Sequence, residues 1–120
     1  MTDIERINSY RKYTNYRNRY GEAVAALHEH NDLAFLELVI LRAISLGDRQ
    51  ALTVREEFNV VPSSISGWIK RLLGKGLIED VSFDFDRRTR QYGLTETGET
   101  RLNQALDTLQ ALDQKTHTTE

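Results

Sequence analysis

The residues of this chain best placed to do chemistry are hydroxyls and cations, not nucleophiles and bases. Ser63 and Ser64 stand at the start of a predicted helix, where hydroxyls and free N–H groups can meet a phosphate. Ser66 and Lys70 follow one turn apart on its exposed face, within reach of hydrogen-bonding edges in a groove. Gly67 between them lets another backbone approach closely and reads nothing itself, while Arg71 flanks the face. Farther along, Arg87, Arg88 and Arg90 place three guanidiniums within four residues at a predicted hairpin tip. Such a cluster repels itself unless an anion offsets it, and Asp84 and Asp86 are the internal offset at hand. The plainer reading is capping serines above a solvated face of Lys70, Arg71 and Lys75.

Other chemistries find less support. His28 and His30 lie two apart, so a helix splays them instead of aiming both at one metal. With Glu22 and Glu29 near, a zinc sensor is conceivable, but histidines near a helix end are commonly surface groups, and no metal site is assigned. The count of zero cysteines removes disulfides, thiolate nucleophiles and thiolate zinc ligands. No Ser/His/Asp set, paired carboxylates or glycine-rich phosphate loop occurs in an activating context, so neither an enzyme nor a cofactor is expected.

The elements that must position these groups follow from periodicity. Thr2 and Glu5 form a capping box, and Ile4, Ile7, Tyr10, Tyr13, Tyr16, Tyr20, Val24 and Leu27 lay one apolar stripe along a helix to about residue 30. Four tyrosines interleaved with Arg6, Arg11, Lys12, Arg17 and Arg19 could stack on nucleobases. Their continuity with the aliphatic stripe favours a packing or dimer seam. Asn31-Asp32 can cap a second, largely buried helix over about 33–46, which Gly47 stops. Thr53 and Glu56 match a capping box, but a helix beginning there has one turn before Pro62, so a longer helix over 49–59 is preferred, with Ala51, Val54 and Phe58 inward. After the turn at 60–63, where Ser63 caps, Ile65, Trp68, Ile69 and Leu72 form the buried face of the next helix.

From Leu77 the period changes to two. Val81, Phe83 and Phe85 alternate with acids and Ser82, and Arg90, Tyr92 and Leu94 alternate in a returning strand. Thr95 caps a last helix with the stripe Leu102, Ala105, Leu106, Leu109 and Leu112, and residues 114–120 should fray. Two helices joined by a short turn and followed by a hairpin make a winged helix-turn-helix, mainly α with a small β-hairpin wing. Such a fold presents its second helix to the DNA major groove and the hairpin tip to the backbone or minor groove.

The run Leu72-x-x-Lys75-Gly76-Leu77-Ile78, then Asp86-Arg87-Arg88, then Leu94-Thr95-Glu96-x-Gly98 resembles the MarR family of bacterial transcriptional regulators in order and spacing. The SarA-type regulators of Staphylococcus are a close second. The resemblance spans roughly residues 33–112 and implies a homodimer built from the terminal helices, a recognition helix at 63–73 and a wing at 81–92. It further implies that Asp86 orients Arg88 or a neighbour. Relative to that family the C-terminal helices look trimmed, Arg55 replaces a small residue, Gly67 stands where Arg is common, and Asp80 replaces a basic residue.

These readings combine into one expectation: a single winged-helix domain with a dimerisation helix at 1–30, a core at 33–95 and a second dimerisation helix at 96–115. It is a cytoplasmic, nucleoid-associated homodimer that binds double-stranded DNA at a palindromic operator, as a repressor. DNA contacts fall to Ser63, Ser64, Ser66, Gly67, Lys70, Arg71, Arg87, Arg88 and Arg90, and the dimer seam to Ile4, Ile7, Tyr10, Tyr13, Tyr16, Tyr20, Leu106, Leu109 and Leu112. A small-molecule effector of unspecified identity, held between the dimer helices, is compatible with this. Glu79, Asp80, Asp84 and Asp86 favour the alternative, a winged helix used only for protein contacts. No apolar run approaches the ~20 residues of a membrane span. The net charge of −2 over 120 residues argues against nucleic acid until it is divided, for residues 63–75 hold three bases and no acid.

Overall fold

In the computed structural model the backbone is described over residues 2–82 and 90–118, and the side chains over the same ranges except 11–16 and 115–118. The described elements are α1 (Asp3–Asn31), α2 (Phe35–Ser45), α3 (Leu52–Glu57), α4 (Pro62–Gly74), β1 (Ile78–Asp80), β2 (Tyr92–Leu94) and α5 (Glu96–Thr118). The architecture is mainly helical with a two-stranded antiparallel hairpin, the winged helix-turn-helix that the periodicity predicts.

The capping box at the start of α1 forms as its spacing requires. Thr2 Oγ1 accepts the Glu5 N–H and Glu5 Oε2 accepts the Thr2 N–H, each at 3.2 Å. The helix ends at Asn31, and Asp32 takes the left-handed conformation with φ 51°. Asp32 is thereby the stop of α1, not the cap of α2 that the sequence suggests. Helix α2 starts at Phe35, two residues later than expected, and its N-cap is Ala34, which has no side-chain oxygen. Glu37 closes the reciprocal half of a capping box instead, its Oε1 accepting the Ala34 N–H at 2.9 Å.

Helix α3 corrects the preference for a long helix over 49–59. Asp48 accepts from Leu52 N–H at 3.0 Å, Thr53 N–H at 2.9 Å and the Thr53 hydroxyl at 2.6 Å, which fixes the first turn at Leu52. Left-handed Ala51 (φ 54°) and Asn59 (φ 51°) then bound the helix on both sides. Ala51 and Val54 are buried as expected, but Phe58 lies outside the helix and is 43% exposed. Burial raises the pKa of Asp48, but the hydrogen bonds from Thr53 and Leu52 outweigh it and hold the group below its ordinary 3.8. A depressed carboxylate contributes stability that is present above its ordinary pKa and lost as pH falls below that value and through the lower pKa of the folded state. Asp48→Ala should therefore lower stability by about 1 kcal/mol at pH 7. In urea titrations the gap from the parent should close as pH falls below about 4; a gap that persists undiminished at the lowest pH where both fold would refute the cap.

Pro62 occupies the first position of α4 with extended Val61 as its N-cap, so Ser63 is inside the first turn and not the cap. The core gathers Leu38, Ile40, Leu41, Ala43 and Ile44 from α2, Ile65, Ile69 and Leu72 from α4, Leu77 and Ile78 beyond it, and Leu102 and Ala105 from α5. Helix α1 adds Leu27 and runs outward, leaving Ile4, Ile7 and Tyr10 between 64% and 71% exposed.

The hairpin pairs Ile78 with Leu94, Glu79 with Gly93 and Asp80 with Tyr92. It begins nearer α4 than the predicted strand centred on Val81, Phe83 and Phe85, because Leu77 and Ile78 are drawn into the core. Phe83 and Phe85 lie outside the described residues. The Tyr92 N–H also donates to the Arg49 carbonyl at 2.9 Å, tying the hairpin to the segment before α3. Thr95 caps α5 as expected, its hydroxyl oxygen accepting the Gly98 N–H at 3.0 Å. Helix α5 then continues to Thr118, through the segment from residue 114 expected to fray.

Candidate nucleic-acid interface

Helix α4 is polarised by its burial. Ile65, Ile69 and Leu72 face the core and Trp68 is half-buried, whereas Ser63, Ser64, Ser66, Gly67, Lys70 and Arg71 are all exposed. The structure thus brings the six helical candidates onto one solvent-facing surface. Pro62 has no N–H and the Ser64 N–H donates to the Val61 carbonyl at 3.0 Å, so Ser63 carries the first turn's open N–H among the described residues. Ser66 Oγ donates to the Pro62 carbonyl at 3.2 Å, which leaves its oxygen lone pairs outward as acceptors. Arg71 lies over the Trp68 ring with Cζ 5.0 Å from the centroid, so its planar donor fork is braced beside the face. Lys70 has no ion-pair partner among the described residues.

Lys75, which in sequence extends the same basic run, is turned away. Its Nζ donates to Glu37 Oε1 at 2.9 Å and to the Asp32 carbonyl at 2.7 Å. Glu37 is 1% exposed and was missed as a structural residue in the sequence. The signal was a lone acid in the apolar run from Phe35 to Ile44, where an unpaired charge would be costly.

At the wing, Asp86, Arg87, Arg88 and Thr89 lie outside the described residues. The base of the hairpin is described, and there Arg90 is ion-paired with Asp80. Hydrogen bonds from Ser82, side chain first and then backbone, together with the Arg90 guanidinium, hold the Asp80 carboxyl down at about 2. The sequence placed Asp80 among acids that repel phosphate and Arg90 among free contacts. The structure makes them a mutually neutralised pair beneath the tip.

The seam candidates divide. Ile4, Ile7, Tyr10 and Tyr20 are exposed, although Tyr20 meets Phe35 edge-on at 5.0 Å between centroids. The side chains of Tyr13 and Tyr16 lie outside those described. Leu106, Leu109 and Leu112 are half-buried, and the first two already pack on the chain's own core. An Arg19–Asp113 ion pair links α1 to α5.

An open groove of about 640 Å³ runs between the end of α2, the base of the hairpin and α5, with Arg42, Arg49, Tyr92, Leu94 and Leu102 among its lining. Among the described residues no group of three metal-ligating side chains converges, and no helix is long and apolar enough to cross a membrane.

No family model and no curated protein sequence matches the chain. Solved structures do. The transcriptional regulator BldR from Sulfolobus solfataricus superposes with a TM-score of 0.78 at 25% identity, over 98% of this chain and 86% of that one. Staphylococcus aureus MarR, solved with salicylate and kanamycin, gives 0.79 at 20% identity over 98% of this chain and 77% of that one. The MarR-family protein Rv2887 of Mycobacterium tuberculosis, solved with p-aminosalicylic acid, gives 0.72 at 19% identity over 93% and 85%.

Proposed function

We propose that this chain, which has the winged-helix fold of the MarR-family regulators, binds double-stranded DNA as a homodimer and regulates transcription, as a repressor at a palindromic operator. The observation that carries the reading is the face of α4, where Ser63, Ser66, Gly67 and Lys70 stand exposed beside a braced Arg71 with no acid among them. Inserted in the major groove, Ser63 and Ser64 would meet phosphate at the helix N-terminus, and Ser66 and Lys70 would face base edges. Arg87 and Arg88 would enter the adjacent minor groove from the wing. A catalytic role has no support from neighbours named as transcriptional regulators. The site of action is the nucleoid in the cytoplasm.

The dimer reading is supported by the exposed apolar residues Ile4, Ile7 and Tyr10, with Tyr13, Tyr16 and Tyr20 on the same spacing and the half-buried Leu106, Leu109 and Leu112 on α5. Two copies would bury that stripe and hold two α4 helices one helical turn of DNA apart. A small-molecule effector fits the reading, since two neighbours of this fold hold salicylate or p-aminosalicylic acid.

The test is gel retardation on duplex fragments selected from genomic DNA, over a salt series. The parent should bind with an affinity that falls steeply with salt. Arg87→Ala/Arg88→Ala should bind at least about tenfold more weakly, with a salt slope shallower by about two. If the double variant matches the parent in affinity and slope, the wing has no role. If the parent retards no duplex even at low salt, the DNA reading fails and the protein-contact module replaces it.

A further inference from the structure

Helix α4 rests on the core through Ile65, Ile69 and Leu72, and apolar contacts of this kind are non-directional. They set which face of the helix is buried, and polar ties to neighbouring elements add direction to that hold. The directional contact comes at its C-terminal end. Lys75, the C-cap of α4, places its ammonium between the Asp32 carbonyl and Glu37 Oε1, at 2.7 Å and 2.9 Å. Asp32 belongs to the left-handed joint between α1 and α2. At the preceding residue of that joint, the Asn31 carbonyl accepts from Arg101 of α5 at 3.0 Å. One two-residue joint is therefore tied on one side to α4 and on the other to α5. Beside it, a cavity of about 220 Å³ lined by His28, Leu33, Glu37, Arg71 and Lys75 leaves room for the last turn of α4 to move when the tie is cut.

We infer that Glu37 is a positioning residue for DNA recognition: buried in the core, it holds Lys75 on the α1–α2 joint and so sets the placement of α4 relative to α1 and α5. The inference rests on the DNA-binding dimer proposed above. In that dimer α1 and α5 join the two copies, so the tie fixes the distance between the two recognition helices and hence the half-site spacing the protein accepts.

The test uses the full chain and duplexes carrying its selected half-site in inverted repeat, with the centre-to-centre separation varied one base pair at a time. Glu37→Gln/Lys75→Met keeps an acceptor for the Ala34 N–H and leaves no buried charge, so it should fold. The parent should prefer one separation over its neighbours by at least about tenfold, and the double variant should flatten that preference to within about threefold. Lys75→Arg, which retains the charge and donors, should keep the parent profile. A purely structural role would lower affinity equally at all separations, so an unchanged profile in the folded double variant overturns the inference. If the parent binds no duplex, the function proposed above fails and the joint is read by hydrogen exchange instead. The amides of residues 73–76 should then exchange at least about tenfold faster in the double variant while those of α2 stay unchanged, and equal protection overturns the joint as well.

Discussion

Gly98→Ala should cost about 3 kcal/mol or more, making it one of the most damaging single-methyl additions open to this chain. A Cβ built on Gly98 lies 1.8 Å from the Leu77 carbonyl oxygen and 2.8 Å from its carbon. Both are backbone atoms of a fully buried residue, so no side-chain rotation relieves the overlap. The approach is close because α5 starts by clamping the link between α4 and the hairpin. The Thr95 N–H donates to the Leu77 carbonyl at 3.1 Å, and the Thr95 hydroxyl donates to the Gly76 carbonyl at 2.6 Å while accepting the Gly98 N–H. Accommodating a methyl means withdrawing α5 and giving up those bonds, each about 1 kcal/mol net. The usual gain of alanine over glycine in a helix, about 1 kcal/mol, is too small to offset this. Urea unfolding at matched protein concentration reads the difference. A midpoint equal to the parent's would show that the clamp has slack that the geometry does not reveal.

Lys75→Met should be comparably severe, at about 3–5 kcal/mol, for an electrostatic reason. It strands Glu37, 1% exposed, with Oε1 holding only the Ala34 N–H and Oε2 already without a hydrogen-bond partner among the described residues. Removing the buried acid together with its cation should recover most of the loss, because a neutral amide keeps the N-terminal acceptor of α2. The full double-mutant cycle, with Glu37→Gln alone as its fourth corner, should show a coupling well above the few tenths of a kcal/mol typical of independent sites. Lys75→Met within about 1 kcal/mol of the parent would mean that solvent reaches Glu37 and that the pair is worth no more than a surface one.

The two predictions bear on the motif that carries the resemblance to the MarR family. Lys75-Gly76-Leu77 and Leu94-Thr95-Glu96-x-Gly98 read, in one dimension, as a turn and a helix cap. In the structure they are two halves of a single junction. Gly76, at φ 73°, turns the chain after α4 so that Leu77 enters the core, and Gly98 lets α5 press onto the Leu77 carbonyl. A pattern of this kind specifies packing, which is why it locates the fold and is silent on the DNA sequence the fold would read.

Much of the candidate interface was legible because periodicity exposes it directly. The apolar residues Ile65, Trp68, Ile69 and Leu72 assign one face of α4, and Ser63, Ser66, Gly67 and Lys70 are what remains. Where the expectations failed, a contact from outside the short window that carried the signal had decided the outcome. The expected helix over 49–59 gives way to one of six residues, because Asp48 takes the Thr53 hydroxyl and the Leu52 N–H and starts the helix at Leu52. Asn31-Asp32 has the composition of a helix cap, but in left-handed geometry Asp32 closes the helix before it. Lys75 and Arg90 count as free cations in any composition window, and each has an acid across the fold.

The sequence by itself determined the order and type of the elements, the buried face of α4 and the chemistry of its exposed face. Those depend on residues three, four or two positions apart, which the chain brings together in any context. Only the tertiary structure decided which charges remain available to a partner. It withdrew Lys75 to Glu37 and Asp32, joined Arg90 to Asp80, and left Lys70 and Arg71 outward. The physical reason is that an ion pair between distant segments depends on distance and burial. Both come into existence only when the core of α2, α4 and α5 closes.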